Sequence, residues 1–214
     1  MEEFVKNTKS MHPTVFSALH TNCKEELDEL YKSWAKRYDV DVLNTIGYVG
    51  HIISTELLLK YLSATDARIL DAGCGTGLVG EILERKGFDN VVGVDFSQSM
   101  LDQAGEKSVY RSLELADLTQ DFAFDDNVFD AIICAGTFTC GHVGPDALIE
   151  MVRVCKVDGY ISFTVREQEW DGAPYAEIIA KLEQDGRWHC VEQIYTDYIL
   201  NEDVSCQLCL FQVC

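Results

Sequence analysis

Arg68-Ile-Leu-Asp-Ala-Gly-Cys-Gly-Thr-Gly-Leu-Val-Gly80 runs from a short apolar segment through three alternating glycines into a helical pattern. Ile69 and Leu70 lead to Asp71, the turn carries Gly73, Gly75 and Gly77, and Leu78, Ile82 and Leu83 then repeat at helical spacing. Strand, glycine turn and helix in that order place a turn at the carboxyl end of a strand, where open α/β sheets bind ligands. Glycine admits positive φ and leaves no Cβ between main chain and ligand. The helix start behind the turn offers unpaired N–H groups to an anion or a carboxylate. The glycines admit two registers. Gly75-x-Gly77-x-x-Gly80 has the dinucleotide spacing, with Asp95 about 20 residues on for ribose hydroxyls. Gly73-x-Gly75-x-Gly77 with Asp71 ahead of it is the second.

The 214 residues suit one domain with a substantial core. Acidic residues outnumber basic ones 36 to 17, a formal net charge of −19, and no Lys/Arg cluster interrupts that field. Such a charge repels nucleic-acid backbones and anionic lipid surfaces, so neither nucleic acid nor membrane is expected as a partner, and small or cationic substrates fit better. No apolar signal segment follows Met1-Glu-Glu and no run is long enough to cross a bilayer. The nine cysteines, an odd number, are therefore expected as reduced thiols in a cytoplasmic protein. Cys206-x-x-Cys209 lies in a β-like run, where residues three apart face opposite sides, and no second Cys/His pair stands at zinc spacing. No metal is expected.

Residues 1–22 lack periodicity and read as an arm or irregular lid segment. Leu27, Leu30, Tyr31, Trp34 and Tyr38 mark an amphipathic helix over 23–38, and Ile46 to Leu62 carry a second pattern over 44–62. His51 on that second helix reads as a surface or packing residue. Strands follow at 90–94, 109–115, 129–134 and 157–165, separated by helices at 97–106, 146–154 and 175–185. Two consecutive strands, 188–200 and 204–214, close the chain as a hairpin. The alternation predicts an α/β fold: a Rossmann-like, seven-stranded, mostly parallel sheet with an antiparallel last strand and helices on both faces. Residues 1–62 are expected to cap a domain running from 63 to 214.

The order Asp71-x-Gly73-x-Gly75-x-Gly77, Gly93-Val-Asp-x-Ser-x-x-Met-Leu101 and Ala116-Asp-Leu118 resembles the class I S-adenosylmethionine-dependent methyltransferases. With Leu30-Tyr-x-x-Trp-Ala-x-x-Tyr-Asp-x-Asp-Val42, the pattern is similar to the methyltransferase-like family of the Williams–Beuren syndrome region. A carboxylate at Asp71 is poorly placed beside a pyrophosphate and acceptable beside a sulfonium and an ammonium, which favours the second glycine register over a nicotinamide site. The resemblance implies S-adenosyl-L-methionine as cofactor and S-adenosyl-L-homocysteine as product. It implies a cofactor cradle at Asp71, Gly73, Cys74, Gly75, Thr76 and Gly77. Asp95 stands where a carboxylate accepts from both ribose hydroxyls, with Ser97 the better helix cap. Asp117 is placed for the adenine amino group, and Phe96, Met100, Leu118 and Ala135 for the pocket wall. Tyr38 reads either as core or as part of a lid over the cofactor.

Methyl transfer needs a nucleophile held in line with the carbon–sulfur bond and water kept out. His142, in the loop after the fourth strand, is a candidate general base, or a loop histidine bonded to backbone. Arg166, ending the fifth strand, is a candidate clamp for a substrate carboxylate or phosphate, or a partner of Glu167, Glu169 or Asp171. Trp170 and Tyr175 are weaker candidates for a pocket wall. Three functions compete: a small-molecule methyltransferase, a protein or peptide methyltransferase acting on a basic target, and a non-catalytic cofactor-binding module. The lid at Tyr38 favours the first. The methylated atom and the oligomeric state are not legible.

Overall fold

Continuous apolar runs become the central strands. β1 (Ile69–Ala72) and β2 (Val91–Asp95) are buried at every position, as parallel strands covered on both faces must be. A computed structural model describes residues 13–21, 23–139, 143–172 and 174–214. With β3 (Ser112–Leu115), β4 (Phe129–Phe138), β5 (Cys155–Arg166), β6 (Trp188–Ile199) and β7 (Val204–Val213), the sheet has the order β3-β2-β1-β4-β5-β7-β6. The first five strands pair in parallel, and β7 runs antiparallel to both β5 and β6. The closing hairpin therefore folds back on itself, its last strand inserted and its first left at the edge.

Alternation along each strand sorts the apolar side chains into two layers. Ile69, Val91, Ala131, Ile133, Leu208 and Leu210 face α3 (Gly50–Leu59) and α4 (Leu78–Arg85). Leu70, Val92, Ile132, Ile161, Phe163 and Phe211 face α6 (Ala147–Val154) and α8 (Tyr175–Gln184). Cys206 and Cys209 fall in different clusters, as residues three apart on a strand do, and both are free thiols. Among the described residues no group of His, Cys, Asp or Glu is placed to hold a metal, and no helix is long and apolar enough to cross a membrane.

The amino-terminal region departs from the expectation. Residues 13–20, read as irregular, form α1 (Pro13–His20), with Val15 and Ala18 buried against α2 (Lys24–Val40) and its neighbours. Proline in a first helical turn loses no bond, because that N–H has no partner there anyway. The helix expected over 44–62 is cut in two. A π-helical turn, Asp41–Ile46, continues α2 and ends on Gly47 at φ 72°, and α3 starts only at Gly50. Tyr48, between them, bridges to Ile199 beside the end of β6. The fifth strand begins two residues early, at Cys155, and a short helix α7 (Glu167–Gly172) follows it.

Phe211 on the inserted strand is fully buried and stacks on Trp188 of β6 at 4.2 Å between centroids and on Phe163 of β5 at 5.9 Å. It fastens the hairpin to the parallel sheet. Phe211→Ala should cost about 3–5 kcal/mol, read from the urea midpoint. A loss below about 1 kcal/mol would place the hairpin's anchorage elsewhere.

Candidate functional site

The glycine turn after β1 carries φ values of 79°, 53° and 93° at Gly73, Gly75 and Gly77. All three lie in the left-handed region, which strains any residue with a Cβ. The turn is tied to β2: the Gly73 and Cys74 amides both donate to the Val94 carbonyl at 2.9 Å. One residue on, the Asp95 carboxylate accepts from the Gly75 amide through Oδ2 and from the Ser97 amide through Oδ1, each at 2.9 Å. The Ser97 hydroxyl makes no capping bond, so Asp95 rather than Ser97 orders the entry to α5 (Gln98–Lys107). Burial pushes the Asp95 carboxyl up to about 6, while the amides from Ser97 and Gly75 hold it down.

Asp71 sits behind the turn rather than on its ligand side. It is 1% exposed, and its Oδ2 accepts from the Tyr110 hydroxyl at 2.6 Å. The Tyr110 oxygen in turn accepts from the Gly80 amide, and a Cβ at Gly80 would overlap the Tyr110 ring. Asp71 thus supports the turn and the helix behind it through Tyr110. Its Oδ1 has no hydrogen-bond partner among the described residues. Burial raises the carboxyl to about 7 against the Tyr110 bond, and the Asp95 charge adds to the rise.

A cavity of about 320 Å³ opens at the carboxyl edge of the sheet. Gly73, Cys74, Gly75, Thr76, Asp95 and Phe96 line it, together with Met100, Asp117, Leu118, Ala135 and Tyr38. A Cβ at Gly75 would meet no atom within 4 Å, so bare backbone faces open space there. Gly77 is packed instead against Tyr110 and Ala104. Helix α2 lies across one side. Its Tyr31 and Trp34 rings pack with Phe96 and Tyr38, Tyr31 at 5.8 Å from Phe96 and Trp34 at 4.7 Å from Tyr38.

Polar contacts hold both ends of α2. Lys24 pairs with Asp117 at 2.5 Å. Asp39 accepts from the Thr76 hydroxyl at 2.5 Å and pairs with Lys107 at 2.7 Å, and Lys107 also pairs with Glu81. Burial raises the Asp117 carboxyl, but the bonds from Lys24 and Thr119 outweigh it and leave the group below its ordinary value. A carboxylate offers about four acceptor positions. Lys24 and the Thr119 amide and hydroxyl occupy three of them at Asp117, so one remains for a ligand.

Arg166 does not join this group. It ends β5 opposite Cys206, is 3% exposed, and is absent from the described residues lining the cavity. Strand alternation puts it on the face of Ser162 and Thr164. His142 lies outside the described residues. Tyr175 stands behind the loop after β4, its hydroxyl donating to the Val143 carbonyl, and Trp170 packs against the core.

Tyr48, not singled out in the sequence, and His51, read there as a surface or packing residue, also line the cavity. His51 is 6% exposed and stacks on Tyr48 with centroids 5.2 Å apart. Burial pushes its pKa down to about 4; Asp39 and Glu81 raise it, and Lys107 and Arg85 lower it. Only the break at Gly47 hints, in the sequence, that the start of α3 is placed by something other than helix propensity.

A family profile described as a methyltransferase domain matches residues 70–163. Over 165 residues the chain is 34% identical to human methyltransferase-like protein 27, covering 74% of this chain and 66% of that protein. Over 65 residues it is 42% identical to the bovine 18S rRNA (guanine-N(7))-methyltransferase, covering 30% of this chain and 23% of that one. The chain thus spans just under two thirds of the human relative's length and under a quarter of the bovine one's. In three dimensions it is similar to a TehB-like S-adenosylmethionine-dependent methyltransferase from Corynebacterium glutamicum, with a TM-score of 0.64, 22% identity, and coverage of 89% of this chain and 100% of that one.

The two buried carboxyls make stability depend on pH. Unfolded, each returns to its ordinary value near 3.8; folded, Asp71 holds its proton to about 7 and Asp95 to about 6. Between about pH 4 and 7 the folded chain binds more protons, so their contribution is complete below pH 4 and is lost as pH rises. Asp71→Asn should therefore gain on the wild type between pH 4 and pH 8 in urea midpoints. An unchanged difference between the two proteins at the two pH values would mean that Asp71 stays ionised in the fold.

Proposed function

We propose that the chain is a class I S-adenosylmethionine-dependent methyltransferase that transfers the cofactor's methyl group to a nucleophile on a small molecule held in the cavity. One juxtaposition carries this reading: the left-handed glycine turn and the Asp95 carboxylate stand side by side on a cavity that α2 roofs with tyrosines. The residues suit the cofactor. Bare backbone at Gly75 admits close approach, and Asp95 keeps lone pairs for a ribose diol after its two amide bonds.

The sheet order sets the direction of the ligand. Asp117 follows β3, Asp95 ends β2 and the glycine turn follows β1, so they stand along one edge at roughly 5 Å per strand. In our reading Asp117 takes the adenine amino group, and Phe96, Met100 and Leu118 hold the ring. Asp95 orients the ribose, and the turn receives the amino-acid end. When bound, S-adenosylmethionine supplies an electrophilic methyl on a sulfonium, a leaving group that needs no acid. The chain's own work is positioning and exclusion of water. Helices α1 and α2 act as a lid: Tyr31 and Tyr38 roof the cavity, while α3 belongs to the layer on the sheet.

A roofed cavity favours a small acceptor over a basic peptide, which needs an open groove. The net charge of −19 weighs against a nucleic-acid acceptor. Calorimetric titration with S-adenosylmethionine, S-adenosylhomocysteine and NAD tests the cofactor: the first two should bind and NAD should not. Asp95→Ala should weaken S-adenosylhomocysteine at least tenfold, about 1.4 kcal/mol, with native circular dichroism. Binding of NAD alone would overturn the reading and restore Gly75-x-Gly77-x-x-Gly80 as the functional register.

A further inference from the structure

Lys24, Leu27, Tyr31 and Tyr38 of α2 line the cavity, and steps of three, four and seven residues put them on one helical face. Lys24 is the first residue of the helix, and its side chain is 53% exposed. Its Nζ lies 2.5 Å from Asp117 Oδ2 and 5.7 Å from the centroid of the Phe96 ring. It therefore stands between the acid that follows β3 and the aromatic ring that follows β2. An exposed ion pair of this kind adds little to stability. Its place on the cavity is better accounted for by what it presents to a ligand.

The two partners offer opposite chemistry. Burial raises the Asp117 carboxyl, but Lys24 and Thr119 leave it below its ordinary value, so it is ionised and only accepts. Its Oδ1 accepts from the Thr119 amide at 2.9 Å and the Thr119 hydroxyl at 2.7 Å, and its Oδ2 accepts from Lys24. With two acceptor positions on each oxygen, the remaining one is on Oδ2, beside the ammonium. An ammonium carries three donors, and Asp117 takes one of them. An acceptor and a donor thus stand side by side at this end of the cavity. The edge of adenine is their complement, because its exocyclic amino group donates and the adjoining ring nitrogen N1 accepts.

We propose that Lys24 is a base-recognition residue of the cofactor site, donating to adenine N1 while Asp117 accepts from the neighbouring amino group. This assignment rests on the methyltransferase reading above. It makes α2 more than a roof. The helix that carries Tyr31 and Tyr38 over the cavity also carries one of the two groups that read the base. Closing α2 and recognising adenine are then one event, because Lys24 reaches Asp117 only where the start of the helix lies against the end of β3. A site built to hydrogen-bond a ligand atom rejects an analogue that lacks it, since its own polar group is left facing a C–H.

S-adenosylhomocysteine and its 1-deaza and 3-deaza analogues, each with one ring nitrogen replaced by C–H, are titrated calorimetrically into the wild type and Lys24→Met. The wild type should bind the 1-deaza analogue at least about fivefold more weakly than S-adenosylhomocysteine. In Lys24→Met the two ligands should bind within about twofold of each other, because the donor that N1 served is gone. The 3-deaza analogue, altered on the ribose side of the ring, should lose the same factor in both proteins. Lys24 is exposed enough for the variant to keep the fold, and each comparison is made within one protein, so a general loosening of α2 cancels. A 1-deaza loss as large in Lys24→Met as in the wild type would mean that another group reads N1. No 1-deaza loss in the wild type would mean that nothing reads it, and a 3-deaza loss that shrinks equally in Lys24→Met would mean that the whole ring has moved. Each of these overturns the assignment with the cofactor reading intact. Failure of S-adenosylhomocysteine to bind the wild type would overturn the cofactor reading itself.

Discussion

The Asp95 carboxylate is the constraint on which the site depends. It is 8% exposed, ends β2, and uses one oxygen on the glycine turn and the other on the entry to α5. Two crossover connections thereby meet at one side chain, which also faces the cavity. Burial works against its charge, and the backbone amides of Ser97, Gly75 and Phe96 restore part of it. A group so balanced responds to what is bound beside it: hydroxyl donors favour the ionised form, and an apolar filling favours the neutral one. Asp71, nearby and deeper, obeys the same balance without touching the cavity, and passes its support to the turn through Tyr110.

Helix α2 closes the site by a division of labour. The pairs Lys24–Asp117 and Lys107–Asp39 stand at opposite ends of the helix, and Lys24 is largely exposed. Exposed ion pairs contribute little to stability, about 0–1 kcal/mol, so Lys24–Asp117 sets where its end of the helix lies more than how tightly it is held. The holding comes from Leu27, Trp34 and their aromatic neighbours, packed against Val42, Ile46, Tyr198 and Cys206. This cluster is separate from the two that sandwich the sheet. The roof therefore has its own core.

Much of the fold was legible because parallel strands buried on both faces leave unbroken apolar runs, and Ile69–Leu70, Val91–Val94 and Ala131–Cys134 are of that kind. The amino-terminal region was less so. Residues 13–20 make a helix of only eight residues opening on Pro13, too short to announce itself by periodicity, and α1 packs on what α2 presents to it. The apolar spacing of 44–62 is continuous through Gly47, but the backbone there reverses into the left-handed region and the helix restarts at Gly50. Periodicity reports which side chains are apolar; it does not report a turn that a distant strand end imposes. In the same way Ser97 has the composition of a cap, yet the Asp95 carboxylate reaches the amide first.

By itself the sequence determined the glycine turn and the acids beside it: alternate glycines after a strand, and acids after the next two strands, are local patterns whose geometry follows from adjacent residues. It also determined the charge that such a protein presents to its partners. Only the tertiary structure decided which side chains meet across the cavity. Tyr48 and His51 come from a segment about 85 residues before Gly136 and Thr137, and they share a wall because α3 packs on β4 and β5. The tertiary structure also decided that Arg166, at the end of its strand, is not among the described residues lining the cavity, and that Asp71 supports the turn through Tyr110. Local patterns encode backbone conformation, which neighbours in sequence fix; the pairing of side chains across a site depends on how whole elements dock, and that is settled by burial of their distant apolar faces.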